Sequence, residues 1–452
     1  MIARLAVFGA SGDLAGRLLF PALAALYAAG RLPDRFELVG AARDDWDDEA
    51  FRRHADERLA RHAAGVPAAA RTALLRALRY STVDLSDADS VGRVIGSGES
   101  DEAIAAYLAL PPKVFGTTAR ALATTGLPSG SRVAVEKPFG EDLHHARELN
   151  ALLEELFGET TEEVVFRVDH ALGMSTVRRL LALRLGNRTL DAVWNGEHVE
   201  EVQVLWEEDL ALEGRAGYYD GVGALKDVMQ NHMLQVLAVL AMEPPRGDDE
   251  HALRDCKAQV LAALRAPDLE AAHACSRRAR YAAGRVGDRD IPAYADEDGV
   301  DPARCTETFA EVVLEIDTPR WSGTRFVLRA GKALGRRRKE ALVRFRAGSA
   351  GADELRIGID GPFDLALTLH AAGDSRDDPQ HVRLSGPPPD SGLPPYAHVL
   401  SDLLGGGTTL SVRGDEAVAA WRAMMPVLDA WAAGTVPLEE YPAGSSGPPR
   451  LG

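Results

Sequence analysis

The chain has 452 residues, 46% hydrophobic and 26% charged, which is an ordinary globular composition but too long for one core. Its net charge of −17 disfavours a surface that binds nucleic acid or an anionic membrane. The three cysteines form no CxxC pair, which predicts reduced thiols, and the longest apolar stretch is interrupted by proline. A predicted strand from residue 2 leaves no room for a secretory leader, so we expect a cytoplasmic protein.

The first segment, RLAVFGASGDLAGRLLFPALAALYAAG, has the pattern of a strand, a glycine turn and a helix. Gly9 and Gly12 bracket the turn, Asp13 lies near the helix start, and Leu14 begins an apolar series at helical spacing. N–H groups at such a helix start can bind a pyrophosphate, and glycine lets the backbone approach it. The spacing is GxxGxxA rather than GxGxxG, so a turn without a ligand is the alternative. We favour a dinucleotide site.

The second predicted strand, FELVGAAR, ends in Arg43. In dinucleotide-binding folds this position meets the adenosine ribose, where an acid binds the 2′-hydroxyl and arginine favours a 2′-phosphate. Asp44 and Asp45 follow at once. The sequence therefore favours NADP and leaves NAD as the alternative.

Two further strands, AIAAYLALPP at residues 103–112 and SRVAVEKPFGEDL, run into Pro111 and into Lys137–Pro138. A lysine at the carboxyl end of a parallel strand points into the ligand crevice. A solvated loop lysine is the alternative for Lys137.

The stretch FRVDHALGM places Asp169 beside His170 directly after an apolar, β-branched run. If that run is a strand that includes both residues, they face opposite ways. Further on, DAVWNGEHVEEVQVLWEEDL predicts one long strand or a hairpin, and a glycine-rich turn leads into a long helix that stops at Pro244. Asp227 and His232 lie within this apolar helix, where polar groups are costly unless they have partners.

These segments resemble the glucose-6-phosphate dehydrogenase family. The motifs GASGDLA, EKPFGEDL, RVDHALG, GYYD…KDVMQNHMLQ…AMEPP and RAGKAL match those of the family in order, from Phe8 to about Pro448. The resemblance implies oxidation of C1 of a hexose 6-phosphate to the δ-lactone, with hydride passing to a nicotinamide. It also implies a homodimer or homotetramer.

Carried over by position, the resemblance implies that His232 is the general base and Asp169 its carboxylate partner. It implies contacts with the sugar or its phosphate at Lys137, His170, Glu208, Asp227, Lys332 and Arg337. It implies a cofactor site made of Gly9, Ser11, Gly12, Asp13, Leu14, Arg43, Pro111, Lys137 and Pro138. We expect no metal ion.

The sequence departs from the family where the substrate phosphate binds. The family pattern is roughly RIDHYLGKE, and its tyrosine and lysine are Ala171 and Met174 here. Two lysines of GDLAKRKL are likewise Gly16 and Leu18. Each charge-assisted hydrogen bond contributes about 1.5–3 kcal/mol, so losing two would weaken phosphate binding by orders of magnitude. Arg337, in the basic run GKALGRRRKE, offers compensation; a solvated basic face is the alternative.

We therefore predict a Rossmann-type α/β dinucleotide-binding domain at residues 1–168 and an α+β domain with a large, mostly antiparallel sheet at residues 169–452. The predicted function is NADP-dependent C1 oxidation of a hexopyranose, with glucose 6-phosphate as the family substrate. One alternative is a divergent paralogue that oxidises a non-phosphorylated or modified sugar. A more distant alternative is a sugar or nucleotide sensor without catalysis, which is disfavoured because Asp169, His232 and Lys137 are all present.

Overall fold

The computed structural model describes residues 1–96, 102–247, 250–266, 271–348, 351–359, 364–372, 379–386 and 392–451. The chain divides into two compact units. Unit 1 comprises Met1–Met174, Pro245–Asp255 and Ser391–Val418, and unit 2 comprises Ser175–Pro244, Cys256–Asp390 and Ala419–Gly452. The division predicted at residues 168 and 169 differs from this one. The predicted boundary lies six residues before Met174, where the first segment of unit 1 ends. Two later segments of the chain also belong to unit 1, which a pattern read along the chain does not reveal.

The strands are β1 Arg4–Phe8, β2 Glu37–Ala42, β3 Leu78–Thr82, β4 Ile104–Leu108, β5 Arg132–Glu136, β6 Val165–Val168, β7 Val199–Glu207, β8 Leu264–Arg265, β9 Ser276–Ala282, β10 Gly284–Val286, β11 Arg289–Ile291, β12 Phe309–Ile316, β13 Arg325–Gly331, β14 Arg338–Phe345, β15 Glu354–Gly358, β16 Leu365–Ala372, β17 Pro379–Gly386, β18 Ser411–Val412 and β19 Leu438–Pro442.

The α-helices are α1 Phe20–Ala28, α2 Asp48–His62, α3 Ala68–Ala77, α4 Ala88–Ile95, α5 Phe115–Thr125, α6 Leu143–Phe157, α7 Thr161–Val164, α8 Ser175–Leu185, α9 Arg188–Val193, α10 Ala216–Tyr219, α11 Leu234–Ala241, α12 Glu250–Ala263, α13 Ala272–Cys275, α14 Pro395–Gly405 and α15 Gly414–Ala432. π-Helical turns span Ala15–Leu19 and Leu225–Met233. Short 3₁₀ turns span Pro112–Val114, Gly158–Thr160, Tyr294–Asp296, Pro302–Arg304 and Pro319–Trp321.

Unit 1 is built on a seven-stranded sheet in the order β18-β6-β5-β4-β1-β2-β3. Strands β1 to β6 pair in parallel, and β18 joins β6 antiparallel. The order 3-2-1-4-5-6 is that of a doubly wound dinucleotide-binding sheet. All of β4 is buried and β1 and β5 are buried over four of five residues, as expected for parallel strands covered on both faces. The carboxyl ends of these strands therefore lie along one edge.

Unit 2 is built on a ten-stranded sheet whose main path is β17-β16-β15-β14-β7-β13-β12-β9-β19, with β8 paired to β12. Most neighbours are antiparallel, while β7 with β13 and β9 with β19 are parallel. The predicted fold class is confirmed: a Rossmann-type sheet and a large, mostly antiparallel one. Within the described ranges, no helix has the length and apolar character needed to cross a membrane.

Two local expectations change. The segment DAVWNGEHVEEVQVLWEEDL, for which one long strand and a hairpin were the alternatives, forms the single strand β7. Its first residues belong to α9. The run before Asp169 is a strand only as far as Val168. Asp169 and His170 instead begin a series of turns closed by Leu172 N–H to Asp169 O at 3.1 Å and Gly173 N–H to His170 O at 3.0 Å. The alternation rule for strands therefore does not apply to this pair.

Candidate functional site

The glycine turn, residues 9–12, follows β1 directly. Gly9 has φ of +86°, and a Cβ there would lie 2.3 Å from Ala109 O, so no other residue fits. Gly9 N–H donates to Ala41 O at 2.7 Å, and Gly12 N–H donates to Gly9 O at 3.0 Å. The turn is thereby fixed against the ends of the two strands that flank β1. Such a narrow main-chain cradle fits a dinucleotide pyrophosphate.

The remaining cofactor candidates of unit 1 lie near the same edge. Leu14 leads into the π-helical turn, and Asp13 is exposed and pairs with Arg17 at 3.1 Å. Arg43 is exposed just after β2, as a 2′-phosphate ligand requires. The next residue is anchored, because Asp44 O accepts Tyr80 Oη–H at 2.8 Å. Ser11 lies within the glycine turn, and Pro111 and Pro138 follow β4 and β5.

Lys137 is positioned by a buried carboxyl that sequence reasoning did not single out. Glu136 is the last residue of β5 and accepts hydrogen bonds from Tyr107 Oη, and from Tyr396 Oη at 3.1 Å. Burial raises the pKa of Glu136 to about 7, although both phenols and the nearby Lys137 act to lower it. The following Lys137–Pro138 peptide bond is cis. Glu136 thus orders the strand end from which Lys137 emerges.

The turn after β6 carries Asp169 and His170. Asp169 is 1% exposed, and its Oδ1 accepts Ala171 N–H at 2.9 Å. The His170 ring stacks on Tyr396, with centroids 5.7 Å apart and planes 12° apart. Tyr396 therefore links Glu136 to His170 within unit 1. The sequence PPYAHVL gave no signal for this tyrosine, since a single aromatic in a helix is most often core.

The two residues that replace the family's tyrosine and lysine after β6 are both buried. Ala171 is 0% and Met174 is 9% exposed. The turn between them is tight, because a Cβ on Gly173 would lie 2.4 Å from Pro395 O. The turn that contains both positions therefore lies directly against α14 at Gly173.

A cavity of about 520 Å³ lies within unit 1 next to this turn. Its polar and charged side chains are Arg17, His62, His170 and Tyr396, and its other described lining residues are apolar or glycine. The side chain of Arg17 brings a positive charge to the lining of this cavity, and none of its described lining residues has a carboxylate. It suits an anion better than a cation.

In unit 2, His232 lies in the π-helical turn Leu225–Met233 and is 3% exposed. π-Helical turns within helices occur often at functional sites. The His232 ring stacks on Trp206, with centroids 5.8 Å apart and planes 22° apart. Lys339 Nζ lies 4.3 Å from the centroid of the same indole. Trp206 thus joins the predicted base to a cation.

The two predicted sugar ligands Glu208 and Lys332 form an ion pair of 2.7 Å, and Lys339 approaches Glu208 at 3.3 Å. Burial acts to raise the pKa of Glu208, but the two ammonium groups outweigh it and hold the pKa below its ordinary value. Ala333, next to Lys332, has φ of +49° and is fully buried. We call Trp206, Glu208, His232, Lys332 and Lys339 the unit 2 cluster. The structure brings these five side chains together from the ends of β7 and β13, from β14 and from the π-helical turn.

Two further sequence candidates of unit 2 are Asp227 and Arg337. Asp227 Oδ1 accepts Tyr218 Oη–H at 3.0 Å. Arg337 is exposed between Arg336 and Arg338, and Arg338 donates to both carboxylate oxygens of Glu207. Sequence reasoning missed Trp206 and Lys339. For Trp206 a signal existed, because it precedes Glu208 by two residues and so lies on the same side of an extended strand.

One unit has a doubly wound sheet with a glycine turn after β1, and the other holds a cluster of a buried histidine, one carboxylate and two lysines. Together these features define a nicotinamide-dependent oxidoreductase with a separate substrate-binding unit. Comparison with known proteins supplies the family. Residues 6–179 match the model for the glucose-6-phosphate dehydrogenase NAD binding domain, and residues 181–451 match that for the C-terminal domain. The chain belongs to the glucose-6-phosphate dehydrogenase family.

The chain is 37% identical to glucose-6-phosphate 1-dehydrogenase 2 of Mycobacterium tuberculosis, covering 98% of this chain and 90% of the relative. A solved glucose-6-phosphate dehydrogenase in complex with its substrate glucose-6-phosphate has a TM-score of 0.90 at 32% identity, covering 99% and 96% of the two chains. The glucose-6-phosphate 1-dehydrogenase of Mycobacterium avium has a TM-score of 0.86 at 32% identity, with the same coverage. These matches confirm the family, the fold class and the NADP-dependent oxidoreductase class predicted from the sequence.

Proposed function

We propose that this protein oxidises the C1 hydroxyl of glucose 6-phosphate to the δ-lactone with NADP as the hydride acceptor. The observation that carries the proposal is the unit 2 cluster. Its buried histidine and one of its lysines lie against the same indole, and this lysine and the second one both pair with one carboxylate. A neutral imidazole is the side chain suited to take a hydroxyl proton near pH 7. The paired carboxylate and ammonium groups suit the hydroxyls of a sugar.

The roles of the residues follow from the chemistry of the step. As hydride leaves C1, His232 takes the proton of the C1 hydroxyl, and Asp169 is proposed to stabilise the imidazolium that forms. Asp169 is suited to this role because it is buried and its carboxylate is oriented by Ala171 N–H. When bound, NADP supplies the nicotinamide carbon that accepts the hydride. The glycine turn would hold its pyrophosphate and Arg43 its 2′-phosphate.

The substrate phosphate is the point at which a second candidate function arises. Ala171 and Met174 are buried and offer no cation or hydroxyl, which favours a sugar without a 6-phosphate. Against this, the cavity of unit 1 places Arg17 and His62 on the same lining as His170. We infer that these groups bind the substrate phosphate in place of the family's tyrosine and lysine. Glucose 6-phosphate therefore stays the first candidate substrate.

One panel of assays tests both candidates. Glucose 6-phosphate, glucose and other free and phosphorylated aldoses are each offered with NADP and with NAD, and reduced nicotinamide is followed by absorbance. We expect turnover with glucose 6-phosphate and NADP to exceed that with glucose. Turnover confined to non-phosphorylated sugars would support the divergent paralogue, and binding without any turnover would support a sensor.

We also propose that the protein self-associates through the sheet of unit 2. Among the described strands, β17 lies at one end of that sheet and exposes Val382 at 45% and Leu384 at 55%. Exposed apolar side chains on an edge strand are typical of an interface. Light scattering should give a dimer or tetramer, and Leu384→Lys should shift the protein toward monomer.

The cytoplasmic location stays a prediction, to be tested by cell fractionation.

A further inference from the structure

Glu307 is a buried carboxyl in unit 2 for which the proposed reaction has no direct use. It precedes β12 and is 8% exposed. Burial raises its pKa to about 7, although the N–H of Leu225 and the charges of Arg278 and Lys226 act to lower it. A buried carboxyl with so little compensating charge is costly and calls for a reason.

Its contacts give that reason, because Glu307 caps the π-helical turn that carries Asp227 and His232. The residue at the N-cap position, Ala224, has no side chain able to accept a hydrogen bond. Glu307 Oε1 instead accepts Leu225 N–H at 3.0 Å, and Glu307 O accepts Ala224 N–H at 3.2 Å. The first amides of the helical turn are thus satisfied by a residue far away in sequence, where a helix usually relies on its own cap.

The approach is close enough to dictate a neighbouring residue. Gly223 has φ of +74°, and a Cβ on it would lie 2.3 Å from Glu307 Oε1. The side chain of Glu307 therefore lies directly against the main chain at the start of the turn. A side chain in this position limits how the helical turn can rotate or shift.

The same short segment also holds Lys332 of the unit 2 cluster. Lys332 N–H donates to Thr308 O at 3.0 Å, and Tyr219 Oη–H donates to Glu307 O at 3.3 Å. The ring of Tyr219 lies 5.1 Å from Lys332 Nζ. Residues 307 and 308 thus contact both parts of unit 2 from which the proposed base and a proposed sugar ligand arise.

We propose that Glu307 is a positioning residue: it fixes the register between the His232 helical turn and Lys332, and it acts on the reaction through them without touching the substrate. This inference rests on the proposed function for its effect on turnover. The structural part, that Glu307 holds the start of the helical turn, stands independently.

The test combines hydrogen–deuterium exchange of residues 223–233 with steady-state kinetics on Glu307→Leu, Glu307→Gln and the control Glu315→Gln, an exposed glutamate on β12. Glu307→Leu removes the acceptor, so exchange of these amides should become about ten-fold faster, as expected for loss of a helix cap. We expect kcat to fall about ten-fold, because misplacing a catalytic group by a fraction of an ångström has effects of this order. KM for NADP should not change.

Glu307→Gln keeps an acceptor oxygen and should restore both exchange and kcat to within about three-fold of the wild type. If Glu307→Leu matches Glu315→Gln in exchange and kcat, the inference is wrong. Should the leucine variant not fold, Glu307→Asp replaces it, since a side chain shorter by one methylene withdraws from Leu225 N–H and should give the same two changes. If the wild type does not turn over any hexose 6-phosphate, the proposed function fails, while the exchange rates still decide whether Glu307 holds the turn.

Discussion

The nucleotide-binding edge of unit 1 consists largely of main chain, whereas the unit 2 cluster consists of side chains. In unit 1 a glycine turn lies at the end of β1, and a Cβ on Gly9 would meet Ala109 O at 2.3 Å. In unit 2 the cluster is held by contacts between side chains, such as the ion pair of 2.7 Å between Lys332 and Glu208. The glycine turn should therefore accept no added Cβ at Gly9, while the cluster should be sensitive to single side-chain replacements.

Among the described residues, each unit also holds a buried glutamate whose pKa burial raises to about 7. In unit 1, Glu136 accepts its hydrogen bonds from the phenols Tyr107 and Tyr396. In unit 2, Glu307 accepts from the main chain of Leu225. A similar energetic cost is thus met by different donors, and the comparison shows that both units keep an ionisable group directly behind their functional residues.

Of the substitutions proposed here, we expect His232→Asn to reduce turnover most. Loss of the base should lower kcat by about 10²–10⁴-fold. Binding of NADP, which we assign to unit 1, should be unchanged in a fluorescence titration. The matched control is His198→Asn, an exposed histidine of the same unit, which should keep wild-type turnover. Near-normal turnover of the His232 variant would show that the base lies elsewhere.

The two buried glutamates predict a pH dependence of stability. Their folded-state pKa is about 7 against an ordinary 4.5, so the folded protein holds their protons more tightly. Stability is therefore lost as pH rises from about 4.5 through 7, by about 3 kcal/mol for each group. The free energy of unfolding should be measured with urea at pH 5 and at pH 8. Its decrease between the two pH values should be smaller by about this amount in Glu136→Gln and in Glu307→Gln.

The control for the pH experiment is again Glu315→Gln, whose carboxyl is exposed. It should leave the pH dependence of unfolding as in the wild type. Equal pH dependence in all three variants would mean that neither buried glutamate is protonated near neutrality. An effect at one position alone would show that phenol donors and main-chain donors are not equivalent in stabilising the charge.

A smaller effect, confined to the cofactor edge, should follow from Arg43→Ala. A charge-assisted hydrogen bond contributes about 1.5–3 kcal/mol, so KM for NADP should rise by about 10–100-fold. KM for NAD should change little, because NAD lacks the 2′-phosphate. Equal changes with both cofactors would mean that Arg43 does not bind the 2′-phosphate and that Asp44 or Asp45 binds the ribose.

The smallest expected effect comes from restoring the family's phosphate ligands. Ala171→Tyr with Met174→Lys should lower KM for glucose 6-phosphate more than either single change, because both groups would share one dianion. The gain is limited, since Ala171 is fully buried and a larger side chain there costs about 1–3 kcal/mol of stability. KM for glucose serves as the control. If the wild type already binds glucose 6-phosphate tightly and Arg17→Ala abolishes this, the cavity of unit 1 holds the phosphate.

The features that depend on local pattern could be predicted from the amino-acid sequence. The glycine turn could be predicted because Gly9 and Gly12 lie between a buried strand and a helix, and only backbone geometry was at issue. Strands β1, β2, β4 and β5 followed from short apolar runs. The ordered motifs identified the family and, with it, His232, Asp169 and Lys332 as candidates.

Only the tertiary structure decided which side chains meet. Trp206 and Lys339 join His232 because β7 and β14 are neighbours in one sheet, a pairing between residues more than a hundred positions apart. Glu136 and Glu307 look like ordinary charged residues in the sequence, yet their partners Tyr396 and Leu225 come from distant segments. The burial of these charged side chains and their hydrogen bonds to distant residues depend on the whole fold, and the local pattern does not reveal them. For the same reason the sequence could reveal that Ala171 and Met174 replace two polar residues, but not that Arg17 and His62 lie on one cavity with His170.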